Sequence, residues 1–176
     1  MKQNNKGFSL VELIIVIAIM AIMSAILVPQ IMKYMDKSRV STDLSTCKSI
    51  ESCVNLALTN DGVWQDVSYN WMSHRDLYFY VKKDNASGKL FFKGIARGGR
   101  FRKELEPTLH GLENPKQVGK NSYKVYIKLG TVPVYDDRGN AIGETFTVKK
   151  VDVTTDVYEI TDDSEYIFST APTSTP

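Results

Sequence analysis

The sequence predicts an α+β fold: a long, kinked N-terminal helix whose first half spans a membrane and whose second half packs on an antiparallel β-sheet head. Three observations carry this reading. Every position from 13 to 28 except Ser24 is apolar. From about residue 31 to residue 58, apolar residues recur at spacings of three and four, the period of an amphipathic helix. Beyond residue 77 the pattern changes to short runs rich in Val, Ile, Tyr and Phe, separated by turn-forming Asn, Asp and Gly, as strands and hairpins require.

The apolar stretch GFSLVELIIVIAIMAIMSAILVP organises the chain. Residues 8–28 make a 21-residue helix, long enough for the ~30 Å hydrocarbon core of a bilayer. A short basic leader, MKQNNKG, precedes it, and Glu12 stands inside it. A carboxylate near the start of a span costs about 2.5–3.5 kcal/mol on insertion scales, so its default reading is functional. On the residues alone, three plainer readings stay open. A secretory signal peptide shares the basic start, but it places no charge in the apolar run and needs a small-residue cleavage site. A single-span anchor explains the length but not Glu12, and a buried core helix is rarely this uniformly apolar.

Pro29 removes a backbone hydrogen bond and crowds the preceding turn, so a kink is expected there rather than an end. Ile31, Tyr34, Met35, Leu44, Cys47, Ile50, Val54, Ala57 and Leu58 form the apolar stripe, with Lys33, Lys37, Asp43, Lys48 and Glu51 between them. Asn60-Asp61-Gly62 supplies the stop, with Gly62 as a left-handed cap. Residues 63–76, with Trp64 and Trp71, show no sustained period and read as a loop packed over the helix-to-sheet junction. Strands are expected at 77–81 and 90–92, joined by the turn at 84–88. A short helical or irregular stretch is expected around 104–112, with Pro107 marking the start if it is a helix. A long strand at 123–135 returns through the turn 136–140 to a partner at 145–153, and short strands at 157–160 and 166–168 flank the turn at 161–164. The boundaries are therefore a leader at 1–7, a membrane half at 8–29, an amphipathic half at 30–60, a sheet head at 61–170 and a disordered tail at 171–176.

The hexapeptide Gly7-Phe8-Ser9-Leu10-Val11-Glu12 resembles the processing site of a type IV prepilin, a class III signal sequence. The resemblance covers about the first 60 residues, and the seven-residue leader is closest to the IVa subgroup. It implies that a prepilin peptidase cuts after Gly7 and methylates the new amine of Phe8. It makes Glu12 the fifth mature residue, a candidate assembly residue, and puts Pro29 where pilin helices kink. It further implies a structural protein rather than an enzyme, with no cofactor. Such a subunit waits as a single-pass membrane protein, then polymerises with its own kind into a surface filament. An assembly ATPase and a membrane platform drive that step, and the filament serves adhesion, motility or DNA uptake. A pseudopilin of a type II secretion or competence machine, or a low-copy adhesive minor pilin, would share these features.

Composition narrows the chemistry. The formal charge is +2 over 176 residues. Lys2 and Lys6 of the leader account for it, so the chain without its leader is neutral and bulk attraction to nucleic acid is not indicated. Residues 82–103 carry eight basic residues against Asp84 alone, and residues 136–170 are acidic. These read as solvated or mutually complementary faces; nucleic-acid binding is the weaker alternative. Cys47 and Cys53, about 240° and ~9 Å apart on a helix, should not pair and read as small buried hydrophobes. The disulfide that staples many pilin heads is absent, since no cysteine follows Cys53. Two Cys and two distant His, His74 and His110, make no metal set. Asp136, Asp137, Asn140 and Glu144 surround a glycine as calcium donors would, but they match hairpin-turn chemistry better.

Overall fold

A computed structural model describes residues 8–74, 77–95, 99–160 and 166–168. Gly7 and the rest of the leader, Arg97 and Gly98 of the basic stretch, the turn at 161–164 and the tail at 171–176 lie outside the described residues. The chain separates into two compact units, Met1–Val40 and Ser41–Pro176.

Helix α1, Leu10–Ala57, runs without a break through Pro29. The ring nitrogen of Pro29 has no hydrogen to donate, so the Ala25 carbonyl loses its usual partner. In the first unit α1 exposes its apolar side chains around its whole circumference, Ile31, Tyr34 and Met35 included. The buried stripe starts later than the sequence suggests. It consists of Asp43, Cys47, Ile50, Val54 and Ala57, spaced four, three, four and three. Leu44, expected in this stripe, is 55% exposed, and the acid at 43 takes the inward position.

Asn60 does not end a helix with Gly62 as its left-handed cap; it starts a new one. Its Oδ1 accepts the backbone N–H groups of Gly62 and Val63 at 3.0 and 3.3 Å, the geometry of an N-cap. Helix α2, Asp61–His74, replaces the expected loop. Val63, Val67 and Asn70 bury along one of its faces together with Asp66, a helical spacing obscured in the sequence by the aromatic and polar residues among them.

The sheet has the order β4-β3-β1-β2-β5, from β1 Leu77–Lys83, β2 Leu90–Ile95, β3 Ser122–Tyr135, β4 Ala141–Asp156 and β5 Tyr166–Phe168. The first four pair antiparallel, as expected, but β5 joins β2 in parallel. The cause is topological. Strand β4 finishes at the end of the sheet where β2 begins, and the returning chain meets β2 only at its last residues, Gly94 and Ile95, running in the same direction. Residues 157–160, expected as a strand, are the beginning of that return. Ser122 Oγ and Asn121 Nδ2 donate to the Tyr158 and Val157 carbonyls, and Ile160 is buried. Gly94 sits at a register irregularity in β2 with φ 104°. A Cβ there would meet the Tyr78 carbonyl and Phe79, so the bulge requires glycine.

Helix α3, Arg100–Thr108, begins four residues before its expected place, and Pro107 lies in its last turn rather than its first. There the proline interrupts only the bond to the Lys103 carbonyl, a small loss at a helix end. Phe101, Leu105 and Leu109 bury at i, i+4 spacing. They complete one core with the α1 stripe, Val63 and Val67 of α2, and the inward residues Leu77, Phe79, Val81, Phe92, Tyr123, Val125 and Ile127. Phe79 meets Phe101 edge to face at 5.7 Å, an arrangement worth about 0.5–1.5 kcal/mol beyond the area buried.

Candidate assembly site

The N-terminus of α1 is built from a four-residue pattern. Ser9 is the N-cap: its carbonyl accepts the Leu13 N–H at 3.2 Å and its Oγ takes the Val11 N–H at 3.4 Å. Glu12 reaches back, its Oε2 accepting the Ser9 N–H at 2.8 Å. This is the reciprocal geometry of a capping box, and the carboxylate also faces the positive end of the helix dipole. Ser9 is not among the site residues expected from the sequence, although Ser-x-x-Glu before an apolar run is a legible signal. Phe8 precedes the cap and is 91% exposed. Phe8 and Glu12 thus lie together at one helix end, and Pro29 lies well along the same helix.

Beyond the cap, the helix surface from residue 13 to 28 has no polar side, Ser24 apart. Among the described residues, α1 is the one helix long and apolar enough to cross a membrane. Exposed apolar side chains on every side, as here, are stable only in lipid or against other helices.

The remaining candidates resolve into structural roles. Asp136 Oδ1 accepts the N–H groups of Arg138 and Asn140 at 2.9 and 2.8 Å, and its Oδ2 accepts from Asn140 Nδ2. These backbone and side-chain bonds hold its carboxyl below the usual carboxylate range. Asp136, Asp137 and Asn140 belong to the hairpin turn, with Gly139 at φ 82°, while Glu144 lies in β4 opposite Pro133. Among the described residues no cluster of three His, Cys, Asp or Glu side chains could hold a metal. The basic stretch is dispersed. Arg100 grips Asp66 through two donors at 3.1 and 2.6 Å, Arg102 lies buried over the Phe92 ring at 4.9 Å, and Lys93 sits beside Tyr158 on the outer face of the sheet. Cys47 and Cys53 are both free thiols. Burial, reinforced by Asp43, pushes the Cys47 thiol up to about 11.

Residues 2–28 match the prokaryotic N-terminal methylation motif. A prepilin peptidase-dependent protein A of Clostridium perfringens is 28% identical over 73% of this chain and 83% of its own length. A type IV major fimbrial protein FimA of Dichelobacter nodosus is 35% identical over 40% of this chain and 46% of its own. The type IV major pilin PilE1 of Neisseria gonorrhoeae is 36% identical over 35% of this chain and 28% of its own. Against the fimbrial proteins and pilins, the chain spans less than half the relatives' length. No solved structure matches. The last two of these relatives are named as a fimbrial protein and a pilin, structural proteins rather than enzymes, and the chain carries the prokaryotic N-terminal methylation motif and is a relative of the type IV pilins.

Proposed function

We propose that the chain is a structural subunit of a type IV pilus, cut by a prepilin peptidase between Gly7 and Phe8, methylated on Phe8, and polymerised through its N-terminal helices into a surface filament for adhesion, motility or DNA uptake. The observation that carries this reading is the pairing of an all-round apolar helix with one carboxylate at its capped end. Before assembly, the helix holds the subunit in the membrane as a single span. A domain boundary near residue 30 would leave the head at 61–170 with the amphipathic half of the helix, and Pro29 would place a bend between the halves.

Glu12 then has two successive partners. In the isolated chain it holds the Ser9 N–H. Cleavage creates a positive amine on Phe8, the residue next to that N–H. In a packed array, Glu12 of one subunit meets the Phe8 amine of its neighbour, neutralising both charges and fixing the axial register, a use of buried polar groups attested in helical assemblies. An assembly ATPase and a membrane platform would supply the work of extraction.

Mass spectrometry of sheared surface fibres tests the reading. The expected chain begins with a methylated Phe8 and is the abundant component. A mature chain beginning near residues 25–30 would instead mark an ordinary signal peptide and end the pilin reading.

A further inference from the structure

The charges of α1 set a membrane frame that the bend at Pro29 does not. Between Glu12 and Lys33 no residue is charged. The 20 positions from Leu13 to Met32 rise about 30 Å as helix, which is the thickness of the hydrocarbon core. The helix is unbroken over this stretch, and the Ser9–Glu12 cap closes its start. A span of the same length ending at Pro29 would draw Glu12 into the hydrocarbon. It would also leave Ile31 and Met32, 53% and 62% exposed, in water. Moving the frame by about one turn removes both costs, the buried carboxylate and the wetted apolar side chains.

The residues that follow have the chemistry of a headgroup layer. Tyr34 is 69% exposed, an apolar ring with a polar tip of the kind enriched at membrane–water boundaries. Lys33 and Lys37 are both exposed and, four residues apart, share a face of the helix. Helical side chains lean toward the N-terminus of their helix. From positions 33 and 37 the long stems therefore lead back toward the span, and their ammonium groups come to the level of the lipid phosphates. Between residues 30 and 40 the only acid is Asp36, and Arg39 holds it at 3.2 Å. Neither Lys33 nor Lys37 makes an ion pair among the described residues. Two positive charges thus stand unneutralised at the end of the frame.

We propose that, before assembly, α1 crosses the bilayer from Leu13 to Met32 and that Lys33 and Lys37 bind the phosphates of anionic phospholipid headgroups, with Tyr34 beside them in the interface. The inference rests on the single-span reading and adds to it a depth and a lipid preference. Pro29 then lies inside the hydrocarbon, about one turn from its edge. Glu12 lies at the opposite boundary, where water reaches its carboxylate, and the Phe8 amine left by cleavage stands outside the hydrocarbon on that side. Drawing a subunit out of the membrane must break the two lysine–phosphate contacts.

Spin labelling of the full-length chain in bilayers tests it. With Cys47→Ala and Cys53→Ala in place, a nitroxide is attached to Val28→Cys, Gln30→Cys, Met32→Cys, Met35→Cys or Ser38→Cys, one at a time. Its access to oxygen, which dissolves in lipid, is compared with its access to an aqueous nickel chelate. Oxygen should dominate through position 32 and nickel from position 35; nickel dominating at 30 and 32 overturns the frame. The headgroup contact is read on the chain with its own cysteines, from spin-labelled phosphatidylglycerol and phosphatidylcholine competing for its surface. A preference of roughly twofold or more for phosphatidylglycerol is expected. Lys33→Gln with Lys37→Gln should abolish it, and Lys33→Arg with Lys37→Arg should keep it. Equal association of the two lipids, or a preference that the glutamine pair leaves intact, overturns the contact. Failure of the unaltered chain to insert in either bilayer is a separate result, which removes the single-span reading itself.

Discussion

The carboxylate of Asp43 accepts the backbone N–H of Gln117 at 3.0 Å while its other oxygen takes that of Lys116. Asp43 is 1% exposed, so one buried acid on α1 fastens a loop more than seventy residues away in sequence. Without it, two backbone donors of that loop lose their acceptor.

Asp43→Ala should therefore be costly. Each hydrogen bond to a charged group is worth about 1.5–3 kcal/mol, so a loss of about 3 kcal/mol or more is expected. Asp43→Asn, which keeps one acceptor oxygen, should cost less. Denaturant unfolding of the full-length chain in detergent measures both; a change below about 1 kcal/mol for Ala would show that the loop is held by other means.

Asn60→Ala removes the cap of α2, for which about 1 kcal/mol is typical. Asn60→Ser, which supplies another capping oxygen, should recover most of it. Equal losses in the two variants would point instead to the contact between Asn60 Nδ2 and Glu104 Oε1 at 3.2 Å, which serine cannot reach.

Alkaline pH should destabilise the fold in a defined window. Burial raises the Cys47 thiol from 9.0 to about 11 and lifts the Tyr123 phenol further still. Above pH 9 the unfolded chain releases the thiol proton while the folded chain keeps it, so stability is full below pH 9 and falls as pH rises toward 11. Cys47→Ala should flatten the early part of that decline and leave the later part, from Tyr123, in place. Melting curves of the two proteins between pH 8 and 11 that run parallel would contradict this assignment.

Glu12 has both a cap to make and, in the proposed filament, a charge to meet. Glu12→Gln keeps an oxygen for the Ser9 N–H but no charge; Glu12→Ala keeps neither. Both are expected to be processed normally and yet to stay out of fibres. Normal assembly of the Gln variant would mean that the cap, and not the charge, is what assembly needs, and normal assembly of the Ala variant would remove Glu12 from the mechanism.

The legible parts of the fold are those with a strong local period. The apolar run of α1, the alternation of β1 and β3 and the turn at 136–140 are all visible as patterns. Helix α2 is not, because its buried Val63, Val67 and Asn70 are too few and too mixed to stand out beside Trp64 and Tyr69. Its starting signal, Asn60, reads in the sequence as the end of α1, because the same residue type serves a helix start and a turn. Asp43 reads as one of the polar residues between stripe positions, since nothing local distinguishes a solvated acid from one whose partners lie at 116 and 117. The parallel β5 depends on where β4 ends in space, which no window of residues contains. At the candidate site, Gly7, Phe8 and Glu12 stand out together as a motif. The Ser9–Glu12 cap lies inside that same hexapeptide, where its Ser-x-x-Glu spacing is masked by the stronger processing signal.

One irregularity of β4 bears on how the proposed filament subunit would avoid the wrong polymer. Strand β4 is the edge of the sheet and sixteen residues long, a row of unpaired backbone groups able to recruit any stray strand. The register shifts between Lys128 and Leu129, leaving Lys149 without an opposite residue, and the missing side chain of Gly130 leaves the space that the methylenes of Lys149 fill. The long edge is thereby cut into two shorter ones with a pair of lysines at the break. Replacing Lys149 and Lys150 by Val and Thr should turn that edge into a template for cross-β aggregation, detectable by thioflavin fluorescence. On this view the bulge is a gatekeeper against amyloid-like growth in a chain proposed to grow into an ordered filament.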